Sequence, residues 1–362
     1  MRVAVYPADE GGCGHYRLIW PATALRDQGH DVDLRLGSES KGQIHALYQH
    51  TEEGPRVMAL GTPIDADVVV LQRPLDRDLV DLIPHIQKSG SVVVVEIDDD
   101  FRSLSARNIA WKAAHPRTDP NKNWLHLDRA CELADWVTCS TPALANRYGK
   151  HGRVSVIPNY VPERYLKEER IPKDCGDDNV YVGWTGSVNT HPDDLQVMGD
   201  GLRRAMRKDP RIKFAVVGSG LGVNKKAGLP LSYPLQVTGW LPIDRFTTAM
   251  AQFDVGLVPL EPSPFNNAKS WLKGLEFAAL GVPFIASPVE QYRALADMGI
   301  GTLAENPHDW RHRILGLLHS GSAAEQGALF RERVDKQDLL IERRAVEWWY
   351  AWIQAHMSRL TA

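Results

Sequence analysis

Two lysines and a glutamate, Lys269, Lys273 and Glu276, are spaced four and three residues apart near the start of a predicted helix. The stretch NNAKSWLKGLEFAALGVPFIAS, residues 266–287, is predicted to form a helix that ends at Gly281 and leads into a buried strand. The spacing places the three side chains on one helix face. A lysine near a helix N-terminus is unfavourable by roughly 0.3 to 1 kcal/mol, because the helix dipole is positive there. If this helix face is solvated, the helix tolerates that cost. If an anion lies at the N-terminus, the interaction of the lysines with their surroundings becomes favourable. Both interpretations remain open; in the second, Glu276 suits hydroxyls that flank a phosphate, as on a ribose.

A second candidate stretch, GWTGSVNTHPDDL, residues 183–195, follows the first strand of the predicted second domain. Gly186 and Ser187 offer backbone and hydroxyl donors. A helix is predicted to start near Pro192, with Asp193 and Asp194 in its first turn. These residues suit either a capped strand-to-helix loop or a phosphate cradle, and the loop alone does not decide between them.

A glycine-rich stretch, EGGCGHYR, residues 10–17, follows the first predicted strand and opens a helix. Gly12 and Gly14 allow close approach of the backbone to a ligand, with His15 and Arg17 beside them. The spacing is not GxGxxG, so a dinucleotide interpretation is weak. Another glycine stretch, VVGSGLGV, residues 216–223, is predicted to be a turn after a strand, with no helix starting there.

Three consecutive carboxylates, Asp98, Asp99 and Asp100, follow a buried strand in VVVVEIDDDF. They lie at the carboxyl edge of the predicted sheet, where α/β proteins bind ligands. Asp98 and Asp100 form an Asp-x-Asp pair that could hold a divalent metal through oxygen ligands. An acidic helix cap is the alternative.

These residues must be positioned by strands and helices that alternate along the chain. The runs that predict strands in the first half are RVAVY, DVDLRL, ADVVVLQ, SVVVVEI, WVTCS and VSVIP, and those in the second half are VYVGW, IKFAVVG, LQVTG, DVGLVPL, VPFIAS and IGTLAE. Several are apolar throughout, as strands buried on both faces are. The βαβα order predicts an α/β protein with two doubly wound parallel sheets covered by helices.

The pattern breaks at PNYVPERYLKEERIPKDCGDDN, residues 158–179, where proline and charged residues crowd together. We therefore predict a first Rossmann-like domain over 1–160, a linker over 161–178, a second such domain over 179–334 and C-terminal helices over 335–362. The last segment carries Trp348, Trp349, Tyr350 and Trp352. Because adjacent aromatic residues cannot all face one side of a helix, we expect this segment to pack back against the first domain.

Composition limits the class of protein. The 362 residues carry a formal net charge of -3, with 43% hydrophobic and 24% charged residues, which is typical of a soluble globular protein and disfavours broad binding to DNA or membranes. The cysteines, Cys13, Cys131, Cys139 and Cys175, form no CxxC pair, and the histidines lack metal-ligand spacing. No apolar run approaches the roughly 20 residues that span a bilayer, and MRVAVYPADEGG is too short for a signal-peptide core. We expect a cytoplasmic protein.

Several of these stretches together resemble one family, the retaining glycosyltransferases of the GT-B fold, especially the large family 4 group. GLEFAALGVPFIAS resembles the donor-site helix and strand of that group, and SVIPNYV resembles its PN signature at the end of the first domain. ADWVTCSTPALANRY and FDVGLVPL are similar to its other recurrent strands. The form N-x-x-K-S-x-x-K-x-L-E, with WTGS after the linker, is similar to compact enzymes of cell-envelope sugar clusters and bacteriophage genomes. The resemblance implies two Rossmann-like domains facing each other across a cleft, with the acceptor on the first and a nucleotide-sugar donor on the second.

The resemblance also implies roles for single residues. Glu276 matches the second glutamate of the family's E-x7-E motif, which accepts hydrogen bonds from the ribose. Ala268 stands where the first glutamate is expected, and Asn266, Asn267 and Lys269 are the candidates to replace it. The family's diphosphate-binding arginine and lysine after the linker strand are absent, so Lys269 and Lys273 are expected to supply the positive charge. The implied donor-binding residues are Gly12, Gly14, Gly186, Ser187, His191, Gly239, Trp240, Asn267, Lys269, Ser270, Lys273 and Glu276, and those on the acceptor side are His15, Tyr16, Arg17 and Asp100.

The function expected from this resemblance is transfer of a sugar from a nucleotide-diphosphate donor to an acceptor hydroxyl with retention of anomeric configuration. Lys269, Lys273 and Ser187 stabilise the leaving diphosphate, no metal is required, and Asp98 or Asp99 positions the acceptor hydroxyl or takes its proton. The acceptor is a glycan, a lipid carrier or a protein, with DNA less expected because of the net charge. Three alternatives remain: a nucleotide-sugar epimerase of the same fold, a metal-dependent transferase of another fold using Asp98 and Asp100, and a non-catalytic sugar-binding protein.

Overall fold

The computed structural model describes residues 1–37, 44–52, 54–171, 177–319 and 322–360. The strands of the first domain are β1 (Val3–Tyr6), β2 (Val32–Leu34), β3 (Ala46–Thr51), β4 (Gly54–Leu60), β5 (Val68–Gln72), β6 (Val92–Ile97), β7 (Trp136–Cys139) and β8 (Val154–Val156). Six of them form a parallel sheet in the order β2-β1-β5-β6-β7-β8. All residues of β1, β5 and β6 are buried, which explains why these strands are apolar throughout.

Helices cover both faces of this sheet. They are α1 (Gly12–Gly14), α2 (Trp20–Asp27), α3 (Arg77–Lys88), α4 (Ile109–Ala114), α5 (Trp124–Leu133) and α6 (Pro142–Tyr148), and a π-helical segment, His15–Ile19, joins α1 to α2. The Asp76 carboxylate caps α3 by accepting from two backbone N–H groups, those of Asp78 and Leu79.

The antiparallel hairpin of β3 and β4 was not predicted from the sequence. Its register pairs Ala46 with Leu60 and Thr51 with Gly54, with an irregularity next to Leu47. Most of its residues are exposed, so ALYQHT and GPRVMAL lack the apolar alternation that predicts a half-buried strand.

The second domain repeats the same architecture. Its strands are β9 (Val180–Ser187), β10 (Ile212–Ser219), β11 (Leu235–Thr238), β12 (Val255–Val258), β13 (Phe284–Ala286) and β14 (Thr302–Leu303), parallel in the order β11-β10-β9-β12-β13-β14. Its helices are α7 (Gly201–Lys208), α8 (Val223–Lys226), α9 (Ile243–Met250), α10 (Pro264–Asn267), α11 (Leu272–Ala279), α12 (Glu290–Asp297), α13 (Pro307–Leu318) and α14 (Ser322–Lys336). The strand order reverses between β9 and β12: β10 and β11 are added on one side of β9, and β12, β13 and β14 on the other. Such a reversal opens a crevice at the carboxyl ends of the strands.

The helix predicted from Asn266 is interrupted, which corrects the sequence interpretation. α10 ends at residue 267, a turn follows, and α11 begins at Leu272. In the turn, the Ser270 hydroxyl accepts from the Leu272 N–H at 3.4 Å, as serine does at helix starts. Lys269 therefore lies before the helix, and Lys273 alone of the two lysines is in its first turn.

Two other helix starts differ from the prediction. A 3-10 segment, Asp194–Met198, and then α7 replace the single helix expected from Pro192. The break falls at Gly199, whose φ of 53° is left-handed. The prediction that no helix follows VVGSGLG is also wrong, because α8 begins there after Gly222 with a φ of 77°.

Two further helices, α15 (Ile341–Arg344) and α16 (Val346–Leu360), lie against the first domain. Tyr160 donates from its hydroxyl to Glu347 at 2.7 Å, and Gln28 donates to the Glu342 carbonyl at 2.7 Å. Trp348 and Trp352 are fully buried in the core that these helices share with the first sheet. Within the described ranges, no helix combines the length and apolar character needed to cross a membrane.

Candidate active site

A cavity of about 560 Å³ lies between the two domains. The loop after β1 and the residues after β6 form its first-domain wall, and the ends of β9 and β12 with α11 form its second-domain wall. Both walls consist of the carboxyl ends of parallel strands, where doubly wound sheets bind ligands.

Lys269 crosses the cavity to the first domain. Its Nζ lies 3.3 Å from Asp99 Oδ1 and 4.5 Å from the centre of the Phe265 ring. Burial opposes the positive charge, but the Asp99 carboxylate raises the pKa of Lys269 above its ordinary value. The turn that carries Lys269 is itself tied to the first domain, because Thr141 donates from its hydroxyl to the Ala268 carbonyl at 2.9 Å. Lys269 is therefore a charged ammonium held at the cavity wall.

Glu276 is a buried carboxylate with one donor from each domain. Tyr16 donates from its hydroxyl to Oε1 at 2.5 Å, and Lys273 donates to Oε2 at 2.8 Å. Burial and the neighbouring Glu276 charge raise the pKa of Tyr16 well above its ordinary value, so Tyr16 keeps its proton. The lysine of the first helical turn is thus compensated by a carboxylate three residues later, and both side chains line the cavity.

His191 and Asp194 form a further pair in the lining of the same cavity. His191 Nδ1 lies 2.7 Å from Asp194 Oδ2. Asp194 Oδ1 also accepts from the Glu261 N–H at 2.9 Å and from Asn266 Nδ2 at 2.7 Å. Burial alone would raise the pKa of Asp194, but the bond from His191 and these donors lower it. Asp194, which we predicted only as part of a helix start, lines the cavity.

The predicted residues of the first-domain glycine-rich loop have different roles in the structure. Gly12 lines the cavity, whereas Gly14 is a packing position, because a Cβ there would lie 1.7 Å from the Asp9 carbonyl oxygen. His15 Nδ1 bonds the Gly11 carbonyl at 2.9 Å, and His15 does not line the cavity.

Arg17, predicted on the acceptor side, forms a buried ion pair instead. Its Nε donates to Glu96 at 2.8 Å, and its Nη1 donates to the Ile157 carbonyl and to Asn159 Oδ1, both at 2.7 Å. The guanidinium is 1% exposed, so its main partners are interior groups of the first domain, although part of the side chain lines the cavity.

The three consecutive carboxylates point to different partners. Asp98 pairs with Arg73 at 3.4 Å, and Asp100 pairs with Arg147 at 2.9 Å. Asp98 and Asp99 line the cavity, and Asp100 does not. Because separate arginines hold Asp98 and Asp100, the two carboxylates do not form a joint ligand pair. Among the described residues, no group of three or more histidine, cysteine or acidic side chains is arranged to hold a metal ion.

Of the other predicted donor-binding residues, some line the cavity and others do not. Trp240 and Ser270 line the cavity, and Ser270 accepts from Asn159 Nδ2 at 2.8 Å. The predicted residues outside the lining are Gly186, Ser187, Gly239 and Asn267. Gly186 and Ser187 belong to the extended end of β9 rather than to a loop, and Asn266, not Asn267, is the buried asparagine bound to Asp194.

The two Rossmann-like domains, facing each other across a cavity at the carboxyl ends of their strands, define the GT-B architecture, which confirms the predicted fold. Residues 179–320 match the family model described as glycosyl transferases group 1. The family match therefore covers the second domain, and the chain as a whole has the GT-B fold. No curated protein matches the chain.

Solved structures share this fold at low sequence identity. Anabaena Alr3699/HepE in complex with UDP is 15% identical, with a TM-score of 0.59 over 96% of this chain and 98% of that one. The S. aureus TarM G117R mutant in complex with fondaparinux, alpha-GlcNAc-glycerol and UDP is 16% identical, with a TM-score of 0.51 over 80% of this chain and 55% of that one. The pneumococcal O-GlcNAc transferase GtfA in complex with UDP and GlcNAc is 13% identical, with a TM-score of 0.51 over 80% of this chain and 56% of that one. The chain thus spans little more than half the length of TarM and GtfA.

Proposed function

We propose that this protein transfers a sugar from a nucleotide-diphosphate donor to an acceptor hydroxyl with retention of anomeric configuration. One observation carries the proposal: a cavity between two Rossmann-like domains whose second-domain wall, within the segment that matches group 1 glycosyltransferases, carries Lys269, Lys273 and Glu276.

The donor lies against the second domain in this proposal. Lys269 and Lys273 contact the diphosphate, because ammonium groups stabilise the charge that develops on the leaving oxygen. Glu276 accepts hydrogen bonds from ribose hydroxyls, for which a buried carboxylate already fixed by Lys273 is preorganised. UDP is the first probe of choice, since HepE, TarM and GtfA are each in complex with UDP.

The acceptor lies between the sugar and the first domain. Asp99 is the candidate to position its hydroxyl and take its proton, because its partner Lys269 is the proposed diphosphate contact, whereas Asp98 is held by Arg73 of the first domain. Retention without a covalent glycosyl-enzyme intermediate requires the acceptor to approach the anomeric carbon from the face that the diphosphate leaves. The distance of 3.3 Å between Asp99 and Lys269, the proposed diphosphate contact, supports that arrangement. We further propose that these cations replace a divalent metal and that the enzyme acts in the cytoplasm.

The test is calorimetric titration with UDP, GDP and ADP, followed by turnover assays with the matching sugar nucleotides. We expect one nucleotide to bind wild type, and Lys269→Ala and Glu276→Ala each to weaken binding at least 30-fold. Lys225→Ala removes an exposed lysine of the same domain that does not line the cavity, and should leave affinity unchanged. Near-wild-type affinity in both cavity variants would refute this donor site.

The product distinguishes the remaining functions. NMR of the product linkage reports retention or inversion, and undiminished turnover in EDTA supports metal-independent transfer. An isomerised sugar formed without acceptor indicates an epimerase, and failure to release nucleotide from any donor indicates a non-catalytic sugar-binding protein.

A further inference from the structure

The first-domain wall of the cavity carries the carboxylates of Glu10, Asp98 and Asp99. Arg17, the cation among the described residues of this wall, is 1% exposed and is held by Glu96 in the interior. Glu10 is exposed and makes no ion pair with any residue in the described part of the chain. The wall that an acceptor would meet is therefore negatively charged.

The neighbouring cations do not cancel this charge. Arg73 serves two carboxylates at once, because it pairs with Asp98 at 3.4 Å and also with Asp9 in the loop after β1. Lys269 pairs with Asp99, but it is also the proposed diphosphate contact. When a diphosphate takes up Lys269, Asp99 loses its cation and the ligand adds further negative charge.

Cys13 lies within the field of these carboxylates. It lines the cavity and is partly exposed. Burial, followed by the charge of Asp98, raises the pKa of the Cys13 thiol above its ordinary value. Asp99 and Asp9 act in the same direction, and Arg73 opposes them. The thiol is thus a neutral group on the acceptor wall, where its reactions can report the sign of the local potential.

We propose that the acceptor is an alcohol that carries a cationic group close to its reactive hydroxyl, and that Glu10 and Asp99 select it over phosphorylated or carboxylated alcohols. This inference rests on the proposed function and deepens it by naming the acceptor class. An ammonium or guanidinium group near the hydroxyl is attracted by these carboxylates and by the diphosphate, whereas an anionic group is repelled by all of them.

The cationic group takes no part in bond making. In the transfer step the acceptor oxygen bonds to the anomeric carbon, and the acceptor proton goes to Asp99. The bond from the anomeric carbon to the diphosphate oxygen breaks, and its electron pair stays on that oxygen. The charge beside the hydroxyl determines only which acceptor is bound and oriented for this step.

The first experiment offers wild type the sugar nucleotide that it turns over together with small alcohols of similar size. These are 2-aminoethanol, which is a cation at neutral pH, uncharged ethylene glycol and anionic glycolate. Hydrolysis of the donor by water is the internal reference, and NMR gives the ratio of glycoside to free sugar at equal alcohol concentrations. We expect that ratio to be at least about tenfold higher for 2-aminoethanol than for glycolate, with ethylene glycol between them. Each uncompensated carboxylate within about 8 Å changes the rate about twofold, in opposite directions for the two charged alcohols, even at the dielectric constant of water.

Variants and salt test whether the preference is electrostatic. Glu10→Gln should narrow the ratio between the two charged alcohols about fourfold, because it removes one of the charges. Glu52→Gln is the matched control and should leave the ratio unchanged, because Glu52 is an exposed glutamate of the first domain that does not line the cavity. The preference of wild type should shrink in about 0.5 M salt. A serine peptide flanked by lysines and an amino sugar then distinguish the two sources of such a cation.

A second measurement does not depend on turnover. Cys13 is modified in wild type and in Glu10→Gln with a cationic and an anionic methanethiosulfonate of similar size, and mass spectrometry of the Cys13 peptide gives both rates. The cationic-to-anionic ratio should exceed that of a small free thiol at least about tenfold in wild type, and it should fall about fourfold in Glu10→Gln. Bound UDP should raise the ratio further.

The inference is overturned if wild type glycosylates glycolate as readily as 2-aminoethanol, or if the ratio at Cys13 equals that of the free thiol. It is also overturned if Glu10→Gln changes neither ratio. Each of these results leaves the proposed function standing. Absence of both nucleotide binding and turnover in wild type would instead overturn the proposed function, and this inference with it.

Discussion

Replacement of Asp99 by asparagine should tighten the binding of UDP. The Lys269–Asp99 pair joins the two domains at 3.3 Å, and the side chains are 20% and 27% exposed. A diphosphate that contacts Lys269 must share the ammonium with this carboxylate. Asp99→Asn removes the competing charge and keeps the shape of the side chain.

The structure sets the size of the effect. Two unit charges at this distance attract by about 5 kcal/mol at an effective dielectric constant of 20, which is a ceiling before solvation is counted. Exposed pairs are worth about 0.2 to 1 kcal/mol and buried ones more, so we expect about 1 to 2 kcal/mol for this partly exposed pair. At 1.4 kcal/mol per tenfold, UDP should bind about 5- to 30-fold more tightly to Asp99→Asn. Turnover should fall in the same variant, because the group proposed to take the acceptor proton is lost.

The assay is isothermal titration of UDP into wild type, Asp99→Asn, Lys269→Ala and the double variant. Lys269→Ala should lose at least 30-fold, and Asp99→Asn should bring no tightening in that background because the shared cation is gone. Asp100→Asn is the control from the same strand end, since Asp100 pairs with Arg147 and does not line the cavity. Weaker UDP binding in Asp99→Asn, or equal tightening with and without Lys269, would refute the reasoning.

Two further predictions concern stability. The pKa of Glu96 is raised from 4.5 to about 7, because the effect of burial exceeds the opposing effect of Arg17. The folded state therefore binds this proton more tightly than the unfolded state, and its contribution of about 3 kcal/mol is lost as pH rises from about 4.5 through 7. In Glu96→Gln that part of the pH dependence should disappear from denaturant unfolding curves; an unchanged slope between pH 5 and 7 would contradict the assignment. Gly281 ends α11 with a φ of 71°, and a Cβ there would lie 2.7 Å from the Arg331 guanidinium. Gly281→Ala should lower the thermal midpoint, with a cost of about 1 to 2 kcal/mol in the free energy of unfolding. Gly316→Ala is the control: Gly316 lies within α13 with open space around its Cβ, so this variant should raise the thermal midpoint. Equal shifts in both variants would show that backbone conformation is not the cause.

Much of the fold could be predicted because parallel sheets leave a strong pattern. Strands buried on both faces appear as short apolar runs, so VVVVEI was predicted as β6 and ADVVVLQ as β5. The β3–β4 hairpin was missed because most of its residues are exposed and carry no such pattern. The end of α11 was predictable from Gly281 alone, since a left-handed position after a helix requires no information from the rest of the chain.

The candidate site was less predictable because its contacts join residues distant in sequence. Tyr16 meets Glu276 across 260 positions, and Lys269 meets Asp99 across 170. Local spacing placed Lys269 on the helix, and only the turn before Leu272 directs it to the first domain. The inward position of Arg17 was missed for a similar reason: it lies in a π-helical segment, for which the sequence gives no local indication.

The two lysine–carboxylate pairs of the cavity have different consequences because of where each carboxylate lies. Glu276 belongs to the same domain as Lys273, so it remains with this cation whatever the distance between the domains, and it fixes the direction in which the ammonium points. Asp99 belongs to the other domain and reaches Lys269 only across the cleft. A carboxylate that is always present is part of the geometry of the site, whereas one supplied by the opposite wall competes with an anionic ligand for the same charge. Removal of Asp99 should therefore tighten diphosphate binding, whereas removal of Glu276 should weaken it.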